Sequence, residues 1–134
     1  MTDMELVGAA VAAMKSAYAP YSGFCVGAAL LTSDGEVYTG CNVENASYGA
    51  TVCAERTAVL KAVSEGRVKH KGIAIVGGKG GKVSSFCAPC GICRQVLTEF
   101  AESDFFVLLY DGEKTQKILL SELLPHSFTG KNLE

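Results

Sequence analysis

Cys53, Glu55 and Arg56 stand in one short stretch, residues 52–56 (VCAER), and Cys90 and Cys93 in a second, residues 88–95 (APCGICRQ). Two thiols separated by two residues can turn tightly around one ion and fill two tetrahedral positions of zinc. Cys53 supplies a third sulfur. Three protein ligands leave one position open, which a catalytic zinc needs and a structural zinc does not. Glu55 lies just beyond Cys53, near enough to reach a water in that open position without being a ligand itself. The chemistry open to such parts is metal-assisted hydrolysis with a carboxylate moving protons.

Three thiolates around a divalent ion leave a formal charge of about −1, which opposes ionisation of bound water. Something cationic must offset it. Both stretches open expected helices, and each helix N-terminus presents free N–H groups and roughly half a positive charge. Such ends also favour the thiolate form of a cysteine. Arg56 is a further source of positive charge, able to donate hydrogen bonds to the sulfurs, and Gln95 is a second donor from the later helix.

The elements that must position these groups follow from the apolar pattern. Residues 4–18 carry Leu6, Val7, Ala10, Val11 and Met14 at helical spacing, with Thr2 or Asp3 as cap and Pro20 as stop. Residues 24–31 and 36–41 form two strands joined by Ser33, Asp34 and Gly35, a hairpin signal. A polar loop over 42–49 leads to a helix over 53–64, capped by Thr51 and closed at Gly66. Residues 73–76 read as a buried strand, a helix from Pro89 or Gly91 runs to Ala101, strands cover 105–110 and 115–119, and a short helix covers 121–124. The four turn residues 111–114 cannot carry a parallel crossover, so the last strand runs antiparallel to its predecessor. The expected fold is α/β, a five-stranded mixed sheet between helices in three α/β/α layers.

At 134 residues, without repeats or low-complexity segments, the chain is expected to form a single domain over 1–134. Hydrophobic residues make up 49% and charged residues only 19%, too little polar material to coat a small sphere, which points to a buried subunit interface. A net charge of −2 and no basic stripe exclude a nucleic-acid partner. No apolar run approaches the ~18 residues of a membrane span. With no leader-like start, the six cysteines read as reduced thiols in the cytoplasm rather than as a disulfide framework.

A cysteine ligand, one residue, then glutamate, followed later by Pro-Cys-x-x-Cys, is the signature of zinc deaminases. Almost the whole chain resembles the small cytidine deaminases that act on free nucleosides. The resemblance rests on residues 18–22 (YAPYS), Phe24 with 26–29 (VGAA), 40–46 (GCNVENA), 53–58 (CAERTA), 89–95 (PCGICRQ) and 122–125 (ELLP). The metal motif marks the superfamily, and the segment with Asn42 and Glu44 narrows it. The resemblance implies hydrolysis of cytidine and 2'-deoxycytidine to uridine and 2'-deoxyuridine with release of ammonia, as in pyrimidine salvage. It implies one zinc per chain held by Cys53, Cys90 and Cys93, with Glu55 as the catalytic proton carrier. Asn42 and Glu44 would hold the ribose 3'-hydroxyl, Phe24 would pack beside the pyrimidine, and backbone groups around Ala54 would bind the base. Tyr48 and Phe128 would complete a neighbouring subunit's site in a homotetramer. The antiparallel last strand matches the free-nucleoside enzymes. Ala88 departs from the Ser that often precedes the Pro-Cys pair.

A structural zinc module needs a fourth ligand, Cys87 or a histidine, and leaves Glu55 without work; a fourth thiolate from Cys87 would close the open position. A redox pair at Cys90 and Cys93 ignores Cys53. A deaminase of a modified cytosine, such as a nucleoside antibiotic, would have little use for Asn42 and Glu44. The glycine-rich run 77–82 fails as a phosphate loop, because Val76 stands where its first glycine belongs and no Ser or Thr follows Lys82. Cys25 and Cys41 are expected as small buried hydrophobes, and His70 and His126 as surface or loop histidines.

Overall fold

The computed structural model describes all 134 residues. Helix α1 (Asp3–Met14) begins on a capping box: the Thr2 side chain accepts from the Glu5 N–H, and the Glu5 carboxylate accepts from the Thr2 N–H. Strands β1 (Phe24–Thr32) and β2 (Val37–Cys41) form the expected hairpin, with Gly35 taking the positive φ of the turn. Helix α2 (Ala54–Ser64), strand β3 (His70–Lys79), helix α3 (Gly91–Phe100), strands β4 (Ala101–Tyr110) and β5 (Thr115–Leu119), and the short helix α4 (Leu120–Leu123) complete the order. Single 3₁₀ turns occupy Tyr48–Ala50 and Gly130–Leu133.

The sheet order is β2-β1-β3-β4-β5. Only β3 and β4 pair in parallel, joined through α3; β5 is antiparallel to β4, as the short turn requires. Period-two alternation sends neighbouring residues of one strand to opposite faces. Ala28 and Leu30, Ile73 and Ile75, and Val107 and Leu109 face Ala54, Ala58, Val59 and Ala62 of α2, together with Leu97 of α3. Ala29, Ala74, Val76 and Leu108 face Leu6, Val7, Ala10 and Met14 of α1. The three layers are therefore α1, the sheet, and α2 with α3 and α4.

Several expectations need correction. The first helix ends at Met14, earlier than the stop expected at Pro20. Cys53 itself, and not Thr51, is the N-cap of α2; the Thr51 hydroxyl instead accepts the Asn45 N–H at 3.2 Å. Strand β3 runs well beyond residues 73–76 at both ends, because its pairing with β1 extends from Thr32↔His70 to Phe24↔Lys79. Strand β4 likewise begins at Ala101 rather than 105. His70 is no surface residue: it is fully buried, with its ring 5.5 Å from that of Phe100. No helix is long and apolar enough to cross a membrane.

Candidate metal centre and substrate site

Helices α2 and α3 start side by side. Cys53 caps the first and Cys90 the second, both in extended backbone, and Cys93 lies in the first turn of α3. The three Sγ atoms all lie within 4.8 Å of one another. Zinc–thiolate bonds of about 2.3 Å at tetrahedral angles separate sulfurs by roughly 3.8 Å, and Cys53 Sγ is 4.0 Å from Cys90 Sγ. The donor set fits zinc. All six cysteines are free thiols, and Cys87 stands outside the triad.

The electrostatics match a cationic rim around a shared negative charge. The Cys93 thiol donating to Cys53, with Arg56 beside it, brings Cys53 down to about 5 against the opposing effect of burial. Cys93, the donor of that pair, is pushed well above the usual thiol range. Burial pushes Cys87 up to about 11, with the nearby Glu55 and Cys53 charges adding to the rise, so Cys87 stays a neutral thiol at physiological pH. Arg56 Nη2 donates to Cys53 Sγ at 3.6 Å and to the Thr51 carbonyl at 3.3 Å. Gln95 does not join it: its Nε2 donates to the Phe128 carbonyl at 2.8 Å.

Glu55 sits in the first turn of α2 and is only 4% exposed. Burial pushes its carboxyl up to about 7; the Cys53 thiolate adds to the rise and Arg56 opposes it. A carboxyl in that range both gives and takes protons near neutrality. Ala54, immediately before it, is fully buried.

Of the remaining candidates, Glu44 and Tyr48 share one cavity, Asn42 is tied to Phe24, and Phe128 meets Gln95 of α3. Residues 42–44 are held between two other segments: Tyr18 N–H donates to the Asn42 carbonyl at 2.9 Å, Glu44 N–H to the Tyr18 carbonyl at 2.8 Å, and Val43 exchanges both backbone bonds with Val52. Asn42 is nearly buried; its Nδ2 donates to the Phe24 carbonyl at 2.8 Å and its Oδ1 accepts from Val26 N–H at 2.9 Å. Glu44 borders a cavity of about 380 Å³ shared with Tyr21, Ser22, Asn45, Tyr48 and Thr51. Hydrogen bonds from the Ser22 hydroxyl, the Ser22 N–H and the Tyr21 N–H hold its carboxyl below the ordinary range. Phe24 opens β1, and its ring and the Cys87 sulfur both lie over Gly77, each about 3 Å from where a Cβ would sit (3.1 and 3.0 Å). Tyr48 is 77% exposed and Phe128 58%.

Arg94 was missed. Its Nε donates to the Pro89 carbonyl at 2.7 Å and its Nη1 to the Leu123 carbonyl at 2.8 Å, fastening the turn that carries Cys90 to the end of α4. Both partners are backbone atoms, so residue types gave no signal for it.

Residues 1–109 match the family model described as the cytidine and deoxycytidylate deaminase zinc-binding region. A cytidine deaminase of Halalkalibacterium halodurans is 49% identical over 134 residues, covering 99% of this chain and 98% of its own. The crystal structure of a cytidine deaminase from Burkholderia pseudomallei superposes with a TM-score of 0.87 at 46% identity, covering 96% of this chain and all of the other. A blasticidin-S deaminase of Bacillus cereus is more distant, at 32% identity over 131 residues, covering 95% of this chain and 92% of its own.

Proposed function

The chain belongs to the cytidine and deoxycytidylate deaminase family and acts on cytidine; from that premise we infer that it hydrolyses cytidine and 2'-deoxycytidine to the uridines and ammonia through Glu55 and a three-cysteine zinc site. The observation that carries this reading is the Sγ triad at the paired starts of α2 and α3, with a buried carboxyl in the same first turn as its cap cysteine. Cys53, Cys90 and Cys93 would hold one zinc per chain. Zinc so bound would supply Lewis-acid chemistry, making water a competent nucleophile near neutral pH.

The rest is the work of this chain's own residues. Glu55 takes a proton from the attacking water as the new C–O bond forms at the amino-bearing ring carbon, and places it on the ring nitrogen beside that carbon. It then takes the remaining proton from the oxygen now on that carbon and passes it to the departing amine, so that the C–N bond breaks, the oxygen becomes the product carbonyl and ammonia leaves. Arg56 offsets the thiolate charge. Asn42 and Glu44 hold the ribose, Phe24 faces the pyrimidine, and backbone groups at Ala54 meet the base. Residues 1–134 form one such domain.

The exposed Tyr48 and Phe128 support a homotetramer in which each chain completes its neighbour's site. A cytoplasmic role in pyrimidine salvage fits the reduced thiols. Action on a modified cytosine is the weaker reading, since the blasticidin-S relative is more distant than the cytidine deaminases.

The test is ultraviolet loss of cytidine, 2'-deoxycytidine, adenosine and cytosine, with and without a chelator, beside elemental analysis. The expected result is consumption of the first two only, abolished by the chelator, with about one zinc per chain. A protein that keeps full activity after zinc is stripped would contradict it.

A further inference from the structure

We propose that Ser22 is a positioning residue for sugar recognition: its hydroxyl holds the Glu44 carboxylate with one acceptor position open and ties it to the start of β1 at Phe24. This rests on the reading of Glu44 as the group that takes the ribose 3'-hydroxyl.

Glu44 has no cationic partner; the ion pairs of the fold are Arg67 with Asp34 and Lys117 with Asp3. Its charge is met by dipoles instead. Oε1 accepts the N–H groups of Tyr21 at 3.0 Å and Ser22 at 3.1 Å, and Oε2 accepts the Ser22 hydroxyl. An ionised carboxylate offers about four acceptor positions. Three are filled, and the fourth, on Oε2, is free for a donor in the adjoining cavity. A carboxylate prepared in this way suits one neutral hydroxyl; gripping both hydroxyls of a diol with two oxygens would need two open positions.

The same Ser22 oxygen accepts the Phe24 N–H at 3.0 Å, so a single hydroxyl joins the residue placed at the sugar to the backbone of the residue placed at the base. The segment itself is anchored. Lys79 Nζ donates to the Ser22 carbonyl at 3.0 Å, Gly23 N–H to the Ala19 carbonyl at 2.9 Å, and Gly80 N–H to the Gly23 carbonyl at 2.8 Å. Ser22 therefore transfers the rigidity of the β1–β3 pairing to a side chain on a separate loop. Ser22→Ala keeps both backbone donors to Oε1 and removes the one bond that fixes Oε2.

The experiment compares full-length, zinc-loaded wild type, Ser22→Ala and Ser22→Thr on cytidine, 2'-deoxycytidine and 3'-deoxycytidine, with thermal unfolding of each. Wild type should turn over the first two alike and strongly disfavour 3'-deoxycytidine. Ser22→Ala should raise KM for cytidine roughly tenfold, the scale of one hydrogen bond to a charged group, leave kcat within about twofold, and shrink the discrimination against 3'-deoxycytidine by a similar factor. Ser22→Thr should restore both. Wild type indifferent to the 3'-hydroxyl overturns the Glu44 reading, and this proposal with it. Discrimination that persists in Ser22→Ala overturns the proposal alone, whether or not that variant melts earlier or has a lower kcat.

Discussion

Arg56 Nη2 lies 3.6 Å from Cys53 Sγ and 3.3 Å from the carbonyl oxygen of Thr51, so one guanidinium joins a sulfur of the triad to the backbone just ahead of it. That bridge offsets negative charge and fixes the sulfur's direction together.

Arg56→Ala should therefore release zinc to a chromogenic chelator tenfold to a hundredfold faster than wild type, the usual scale for removing a donor to a metal ligand. Arg56→Lys should recover only part of this, because an ammonium cannot reproduce the planar fork. Release at the wild-type rate from Arg56→Ala would show that the helix N-termini offset the charge without it.

Gly40 on β2 lies directly beneath the start of α2. A Cβ there would stand 2.5 Å from the Ala54 carbonyl oxygen and 2.6 Å from the Ala58 N. Both obstacles are backbone, so the helix carrying Glu55 must shift. Gly40→Ala should cost about 1–3 kcal/mol in urea unfolding and lower kcat as well. Unchanged stability would mean that the strand and helix are less tightly apposed than the fold indicates.

His70 gives the fold an acid-sensitive point away from the reaction. Its Nε2 bonds the Arg67 carbonyl at 2.8 Å, which makes Nε2 the protonated nitrogen, and its Nδ1 is buried without a partner. Burial holds its pKa below the ordinary 6.5, against the hydrogen bond to Arg67. In acid the unfolded chain then binds more protons than the fold. The contribution is present above 6.5 and is lost as pH falls toward the lowered folded value, no more steeply than about 1.4 kcal/mol per pH unit. His70→Gln should flatten that part of the stability profile between pH values around 7.5 and 5.5. An identical slope in wild type and variant would assign the acid sensitivity elsewhere.

What the sequence revealed of the site follows from how its parts are encoded. Cys53, Cys90 and Cys93 were legible because ligand type and spacing are themselves the constraint, and the structure brings the three sulfurs together as the spacing predicts. The strand faces were legible from alternation, which sends Ala74 to one core and Ile75 to the other. Contacts made through backbone atoms were not legible. Arg94 reaches two carbonyls, and Gln95 turns to the Phe128 carbonyl instead of the sulfurs, because the returning tail offers an acceptor that local sequence does not announce. His70, expected as a surface or loop histidine, is buried by the pairing of β3 with β1 and by packing on Phe100, neither of which its local sequence announces. The Asn42 amide, which the resemblance gives to the ribose, also holds a backbone partner on β1 at each end, a tie that leaves it one N–H and one lone pair and that residue type does not announce.

On the proposed mechanism, the buried Glu55 carboxyl beside the thiol triad moves the protons of the reaction. Glu55→Gln is nearly isosteric and leaves all three cysteines in place, so zinc content and ammonia release from cytidine, measured on the same purified sample, test it most directly. The expected result is about one zinc per chain, as in wild type, with kcat lowered at least 10²–10⁴-fold. Full zinc together with ammonia release at the wild-type rate would contradict it.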